Sequence, residues 1–515
     1  MEDLQKKWYK NKYFLIFIAI LLTAIAIRLY YFIITAHQTS WWDSCDYLSA
    51  AKAYAGIGFA HLTGQRLPGY PFFISLFFIM GIKDEVILGF LVNFIPSIIM
   101  LILLYLIISK MYPDKRIALI SLAIMAVLWE SLFYSNRFQT ENFGMIFQFA
   151  SLLCLYAFIN EKKVFWLAMT GAMAMLSVFF RPGQLLFIPA VVLFLAITQW
   201  KEHKAAVISL IIAGITIFAG IMAFVPSLRY IIMSNFNASH IGPAWNSLTF
   251  FNGLLAPYLD VFFIIGIVIC AILIFSKKDD SIERKSDIFN LLLIITVLFA
   301  FIFVIRAPAF EYRWFFPLIT GLLVFTAKGI IDVCDGMGSL LKGNAGKVIS
   351  AITIMLILGF GLAGQLSHAD YIIKQKVGTY ADVRSAGLWM KENTEKKDVI
   401  FSISYPQTAY YSERKVMSYA ELNNSDQFDD YIMRNNPRWI TVSVYEPHPQ
   451  WIFEWIQKNN ETIFPAAAYF SDISKQQAAL VIYGFNDDHR NKIATNPNVI
   501  GENETCSEET DTCAV

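Results

Sequence analysis

Charged side chains are scarce in this sequence, 16% of the total, against about a quarter in an ordinary soluble domain. The missing charge is replaced by apolar surface: 57% of residues are hydrophobic, 44 are Phe, and mean hydropathy is +0.51. That excludes a soluble globular protein and predicts a polytopic membrane protein. Net charge is only +1, so charge makes no case for a nucleic-acid partner. Cysteine is also sparse. The six cysteines show no Cys-x-x-Cys spacing, which argues against a structural zinc site. Cys506 and Cys513 stand close together in a polar tail, where a small disulfide or two free thiols fit equally well. No repeat of 20–50 residues is evident, which excludes a solenoid.

What the chain does have is long apolar runs. A hydrocarbon core of about 30 Å needs roughly 20 helical residues to cross. Eleven runs qualify or nearly so: 13–35, 86–109, 117–135, 142–160, 164–180, 183–199, 204–226, 260–276, 288–306, 314–333 and 348–366. The weakest are the two flanking Arg181-Pro182, which are short and joined by a tight turn. The run 71–81 is too short to cross and reads as an interfacial half-helix. No small-residue cleavage site follows the first run, so it is expected to be a retained anchor.

Lysines set the orientation. Lys6, Lys7, Lys10 and Lys12 precede the first run, and alternate loops after it hold Lys110, Lys115 and Arg116; Lys162 and Lys163; Lys201 and Lys204; Lys277, Lys278, Arg284 and Lys285; and Lys342 and Lys347. The opposite loops hold isolated arginines: Arg66, Arg137, Arg181, Arg229, Arg306 and Arg313. An odd number of spans, about eleven, follows. The N-terminus is then cytoplasmic and the C-terminal region extracytoplasmic.

From about residue 367 the composition becomes that of a soluble domain. Thr379–Lys396, Asp426–Asn435 and Pro449–Asn459 read as helices; Val399–Ile403, Trp439–Val444, Ile463–Phe470 and Ala478–Phe485 read as strands. This alternation predicts a small, partly parallel α/β layer over residues 367–486. Residues 487–515, polar and poor in apolar residues, read as disordered. Within the soluble region there is no Gly-x-Gly-x-x-Gly, no Walker loop and no Ser-His-Asp spacing, so it is expected to shape substrate access and not to catalyse. Residues 1–366 form the membrane domain, with its functional loop at 36–85.

The chemically unusual residues fall on the outer side. Trp41-Trp42-Asp43-Ser44-Cys45-Asp46-Tyr47 follows the first run, and Arg66-Leu67-Pro68-Gly69-Tyr70-Pro71 follows in the same loop. Arg137 and Glu141 lie in the next outer turn, Arg181 in the one after, and Arg306, Glu311 and Arg313 before the tenth run. Arginine pairs bidentately with phosphate, and a carboxylate takes a proton from a hydroxyl nucleophile. Blander roles also fit. Arg181 before Pro182 suits an interfacial snorkeler. Glu141 after Thr140 suits a first-turn carboxylate behind a helix cap. Arg313 with Trp314 suits an aromatic-belt anchor, Asp46 an early helix acid, and Arg28 a snorkeling or interhelical residue. Asp43 is hardest to dismiss, because Trp41 and Trp42 fix it at the membrane surface.

Taken in order, these motifs resemble the GT-C superfamily of membrane glycosyltransferases. The similar branch includes protein O-mannosyltransferases and the aminoarabinose transferase of lipid A. Asp43-Ser44-x-x-Tyr47-x-x-Ala50 resembles that branch's acidic first loop, and Arg66-Leu67-Pro68-Gly69-Tyr70-Pro71 the start of its half-helix. Thr140-Glu141, Arg181-Pro182 and Arg313 with Pro317 resemble motifs of later outer loops. The second acidic position is Ser44 here, which leaves Asp43 as the base candidate unless Asp46 substitutes.

The resemblance implies inverting, single-displacement transfer of a monosaccharide from a polyprenyl- or dolichyl-phosphate donor to an acceptor hydroxyl on the extracytoplasmic face. Asp43, with Asp46 and Glu141, would serve catalysis; Arg66, Arg181 and Arg313 would meet the donor phosphate. The acceptor would be a glycan, lipid or protein. No cofactor is required, although Asp43 with Asp46 or Glu141 offers ligands for a divalent metal. The rival class is a transporter or flippase for a lipid-linked substrate, which would show broken spans near the midplane; Asn93 and Pro96 interrupt one.

Overall fold

The computed structural model describes residues 12–57, 66–224, 229, 253–276, 280–304, 311–341, 343–470 and 478–486. Arg306, the polar tail 487–515 and its two cysteines lie outside the described residues. The chain divides into two compact units: Met1–Gln38 with Thr63–Val377, and Thr39–Leu62 with Gly378–Val515.

Among its described residues the first unit holds helices and no strand, as apolar chain in lipid must, because only a helix satisfies its own backbone there. Its helices are α1 (Lys12–Thr35), α3 (Gly69–Ile79), α4 (Glu85–Met111), α5 (Lys115–Val127), α6 (Trp129–Ser135) and α7 (Glu141–Glu161). They continue as α8 (Val164–Phe180), α9 (Pro182–Thr198), α10 (Trp200–Phe224), α11 (Leu259–Ser276), α12 (Ile282–Phe303), α13 (Tyr312–Ser339) and α14 (Asn344–Lys376). The described part of each apolar run is helical, the run 117–135 being split between α5 and α6. Among the described residues, seven helices are long and apolar enough to cross a membrane, and eight if α5 and α6 count as one bent span. The pair around Arg181-Pro182, α8 and α9, is shorter, and 71–81 is the short helix α3. The protein is an integral, multi-pass membrane protein.

Three local features position the site. In α4 the turn Phe90–Phe94 is a π-turn; Pro96 has no N–H to give the helix ladder there. Tyr70 on α3 donates to Asn93 Oδ1 at 2.7 Å within that turn. Between α5 and α6, Leu128 is extended (φ −53°, ψ 116°) and the two helices bend by 57°. Helix α13 is the buried centre, and α11 crosses it where Gly266 faces Gly329. A Cβ on either would overlap the partner's backbone, at 1.8 Å from the Phe325 oxygen and 2.0 Å from the Phe262 oxygen. Small residues at such crossings let helix backbones meet without a hydrophobic driving force.

The second unit is an α/β layer joined by one helix from the loop after α1. That helix, α2 (Trp42–Tyr54), packs on α16 (Tyr405–Ser412). The Ser40 N–H donates to the Tyr411 hydroxyl at 2.8 Å, and Lys52 pairs with Glu413 at 3.1 Å while lying 4.4 Å from the centre of the Tyr410 ring. The sheet holds β1 (Val399–Ser402), β2 (Lys415–Met417), β3 (Trp439–Ser443), β4 (Ile463–Tyr469) and β5 (Leu480–Phe485) in the order β2-β1-β3-β5-β4. The β2-β1-β3 half is parallel and the β3-β5-β4 half antiparallel.

Alternation along the strands separates two cores. Ile400, Trp439 and Ile482 join Val383, Ala386 and Met390 of α15 (Ala381–Asn393) on one face. Phe401, Ile440 and Val442 join Phe428 and Ile432 of α17 (Ser425–Asn435) and Ile452 and Trp455 of α18 (Gln450–Lys458) on the other. Two helical layers thus enclose the sheet. The sequence predicts every element here except α2, α16 and β2, and it groups residues 39–62 with the membrane helices, whereas the structure groups them with the sheet.

Candidate active site

In the first unit, three expected residues come together from three separate turns. Glu141 opens α7, Arg181 occupies the extended step between α8 and α9, and Arg313 lies in the 3-10 turn that starts α13. Glu141 is 2% exposed, and its Oε1 serves both guanidinium groups: it ion-pairs with Arg181 and lies 3.3 Å from Arg313 Nη1. Arg181 also donates to the Arg313 carbonyl at 2.6 Å, locking the two turns together. Arg313 bonds Gln139 Oε1 at 3.0 Å, pairs with Glu311, and lies 4.9 Å from the centre of the Tyr134 ring. Neither arginine is a snorkeler at a helix end. Glu141 does lie in the first turn of α7, but Thr140 makes no side-chain cap.

Sequence supplies the shape of this cluster through small residues. Gly144, one turn into α7, lies against the Arg181 side chain, and Ser177 on α8 donates to the Gly144 carbonyl at 2.7 Å. Arg66 is half-buried just before α3. That stretch packs against the end of α8, where a Cβ on Gly69 would meet the Phe179 oxygen at 2.6 Å. The loop bearing Arg66 is therefore seated on the helix that leads into Arg181.

Several polar atoms in the cluster are buried without a hydrogen-bond partner among the described residues: Glu141 Oε2, Arg181 Nε and both amide atoms of Gln184. Gln184 is fully buried and its amide nitrogen faces Gly144. A buried, unpaired donor or acceptor costs about 1–3 kcal/mol. Their concentration around one arginine is what a site awaiting a polar ligand would show.

Sequence reasoning missed Glu130. It is 3% exposed on α6, and its carboxylate lies beside Arg313 in a neighbourhood shared with Glu311 and Glu141. The signal was present, since a lone acid inside an apolar run reads by default as functional. Gln139 and Gln184 carried no comparable signal.

Asp43 and Asp46 belong to the second unit. Both lie in the opening turns of α2, three positions apart and so on one face, Asp43 half-buried and Asp46 2% exposed. Trp42 packs edge-on against Tyr405 at 5.2 Å between ring centres, and Trp41 against Tyr380 at 6.5 Å. The tryptophans thus anchor α2 on the α/β layer. Near them Ser404 donates to Glu446 at 3.3 Å, and burial pushes the Glu446 carboxyl above its ordinary range. Among the described residues no group of three or more His, Cys, Asp or Glu is arranged to hold a metal ion.

A family profile described as dolichyl-phosphate-mannose-protein mannosyltransferase matches residues 65–230, a stretch that includes Arg66, Glu141 and Arg181. No curated protein matches the chain. Among solved structures, the chain is similar to the oligosaccharyltransferase of Archaeoglobus fulgidus, solved with a tethered acceptor peptide containing the NVT sequon. The TM-score is 0.59 at 12% identity, over 91% of this chain and 74% of that one. It is similar also to ArnT of Cupriavidus metallidurans bound to undecaprenyl phosphate, with a TM-score of 0.58 at 10% identity, over 90% of this chain and 97% of that one. The apo form of that ArnT gives a TM-score of 0.57. The resemblance to GT-C membrane glycosyltransferases expected from the loop motifs is therefore shown, and the fold is the one those structures share.

Proposed function

We propose that this chain, a membrane protein of GT-C fold, transfers a monosaccharide from a polyprenyl- or dolichyl-phosphate donor to an acceptor hydroxyl on the extracytoplasmic face. The observation that carries the proposal is the buried cluster of Glu141, Arg181 and Arg313 with its unbonded Glu141, Arg181 and Gln184 atoms. Two guanidinium groups held by one carboxylate keep a fixed spacing, and unpaired donors beside them suit phosphate oxygens. The ArnT structure holds undecaprenyl phosphate, the donor-derived part of such a reaction.

In the reaction the acceptor oxygen attacks the anomeric carbon as the bond to the lipid phosphate breaks. Asp43, or Asp46 in its place, takes the hydroxyl proton. Arg181 and Arg313, with Arg66, stabilise the negative charge that grows on the departing phosphate. Glu141 orients the two arginines and, at the cost of some of their charge, prevents their repulsion from separating them. The step needs no cofactor. Eleven spans, with the N-terminus cytoplasmic and the α/β unit extracytoplasmic, complete the proposal.

The alternative, a lipid-linked substrate transporter, draws on the π-turn at Asn93 and the bend at Leu128. The test is incubation of purified protein with a panel of radiolabelled polyprenyl-phosphate sugars and a membrane-extract acceptor pool. Transfer or slow hydrolysis of one donor supports the enzyme. Movement of donor across proteoliposomes with no bond cleavage would support the transporter instead.

A further inference from the structure

The break between α5 and α6 is braced by two buried polar side chains from helices far away in sequence. Ending α5 at Val127 frees its last carbonyls, and starting α6 at Trp129 frees its first N–H groups. Arg28 on α1 is fully buried and reaches that break. Its Nη1 donates to the Ala126 carbonyl at 2.7 Å, and its Nη2 to the Met125 carbonyl and the Ser131 hydroxyl, each at 3.3 Å. Gln365 on α14, also fully buried, meets the other side: its Oε1 accepts from the Trp129 N–H at 3.2 Å. The Gln365 amide nitrogen in turn donates to the carbonyls of Leu254 and Ala256, at 3.3 and 2.8 Å.

Among the described residues no carboxylate pairs with Arg28. Its counter-charge is the negative end of the α5 dipole, which favours a cation within the last turn. An arginine buried in a span is costly, and this one satisfies backbone groups that lipid cannot. It is not a snorkeler.

What the break positions is the donor cluster. Helix α6 carries Glu130, whose carboxylate lies beside Arg313, and Tyr134, whose ring lies under the Arg313 guanidinium. Continuing α5 straight by 57° would carry both away from Arg313. We infer that Arg28 is a positioning residue for Arg313, acting through the α5–α6 break, with Gln365 as its counterpart. The kinetic consequence rests on the donor-phosphate role proposed for Arg313; the mechanical one does not.

The experiment compares Arg28→Lys, Arg28→Leu and Gln365→Leu in the full-length chain purified in detergent, with two readouts. The first is amide hydrogen exchange over residues 125–135, which needs no substrate. Arg28→Leu and Gln365→Leu should speed exchange there and leave α11 and α13 as in the parent. Arg28→Lys, keeping the cation at the helix end, should restore most of the protection. The second is steady-state transfer with the donor that the parent protein uses. A misplacement on the order of 1 Å costs about 100-fold, so kcat/KM for donor should fall by about that factor in Arg28→Leu. KM for acceptor should stay, and Arg28→Lys should recover to within a few-fold.

Parental exchange at 125–135 in a folded Arg28→Leu would overturn the brace, and if Arg28→Leu does not fold, parental exchange in Gln365→Leu would overturn it. Faster exchange with parental donor kinetics would overturn the link to Arg313. If the parent protein transfers no sugar from any donor, the glycosyltransferase proposal fails and the exchange measurement still decides the brace.

Discussion

Gly144 has no side chain where Arg181 needs room: a Cβ there would lie 3.0 Å from both the Cβ and the Cδ of Arg181, and 3.1 Å from the Gln184 amide nitrogen. The contact is tight but not impossible, so the arginine would shift by a few tenths of an ångström. Gly144→Ala should therefore fold and weaken donor binding by a few-fold. Gly144→Val, whose branched side chain is stiff, should weaken it by an order of magnitude or more. Titration with a lipid-phosphate analogue measures both. Equal affinity in all three proteins would show that Arg181 does not touch the donor.

Glu141→Gln keeps the shape of the side chain and removes its charge. Breaking a buried pair by removing one partner costs about 3–5 kcal/mol, because the other charge stays buried. Two arginines share this carboxylate, so the expected loss of thermal stability is large for a single conservative substitution. A double-mutant cycle separates the partners: Arg181→Gln in the Glu141→Gln background should cost much less than Arg181→Gln alone. Additive costs would mean that the ion pair does not hold the turns together.

The membrane half was legible because its signal is compositional. Apolar runs mark helices whatever they pack against. Which arginines meet was not legible, since Glu141, Arg181 and Arg313 converge through turns whose geometry no local pattern encodes. The break at Leu128 was hidden because neither Gly nor Pro marks it; its cause lies in Arg28 and Gln365, distant in sequence. Helix α16 was missed because Tyr405–Ser412 is buried on nearly every side and shows no polar stripe. β2 is only three residues long. The seat of α2 on the α/β layer rests on Lys52–Glu413 and Ser40–Tyr411, pairs that no window along the chain brings together.

That seat predicts an acid-sensitive α2. Burial alone would raise the Glu413 carboxyl, but its hydrogen bonds and charge pairing with Lys391 and Lys52 outweigh that and hold it below its ordinary value. A depressed carboxylate stabilises the fold fully above its unfolded pKa of about 4.3 and loses that contribution as pH falls through the lower, folded value. Below about pH 4, therefore, α2 should loosen from α16. The difference in intrinsic fluorescence between the parent protein and Trp42→Phe, followed against pH, reports this. Glu413→Gln should flatten the acid transition; an unchanged transition would assign it to other carboxylates.

Asp43 carries the sharpest prediction. Asp43→Asn keeps size and shape but cannot accept a proton, and general-base contributions run at about 100- to 10,000-fold in rate. Turnover should fall by that order while donor binding survives. Arg313→Ala should instead weaken donor binding and slow transfer together, because it removes a partner of the phosphate and leaves Glu141 under-compensated. Asp46→Asn separates the two acids on one helix face. Asp46 is the more buried of the pair, which suits a residue that sets the pose of α2, and its loss should lower stability more than rate. If Asp46→Asn abolishes transfer in a folded protein and Asp43→Asn does not, Asp46 is the base, and Asp43 is the acid that favours the start of the helix. If neither substitution changes turnover, proton removal is done elsewhere and the proposed mechanism is wrong.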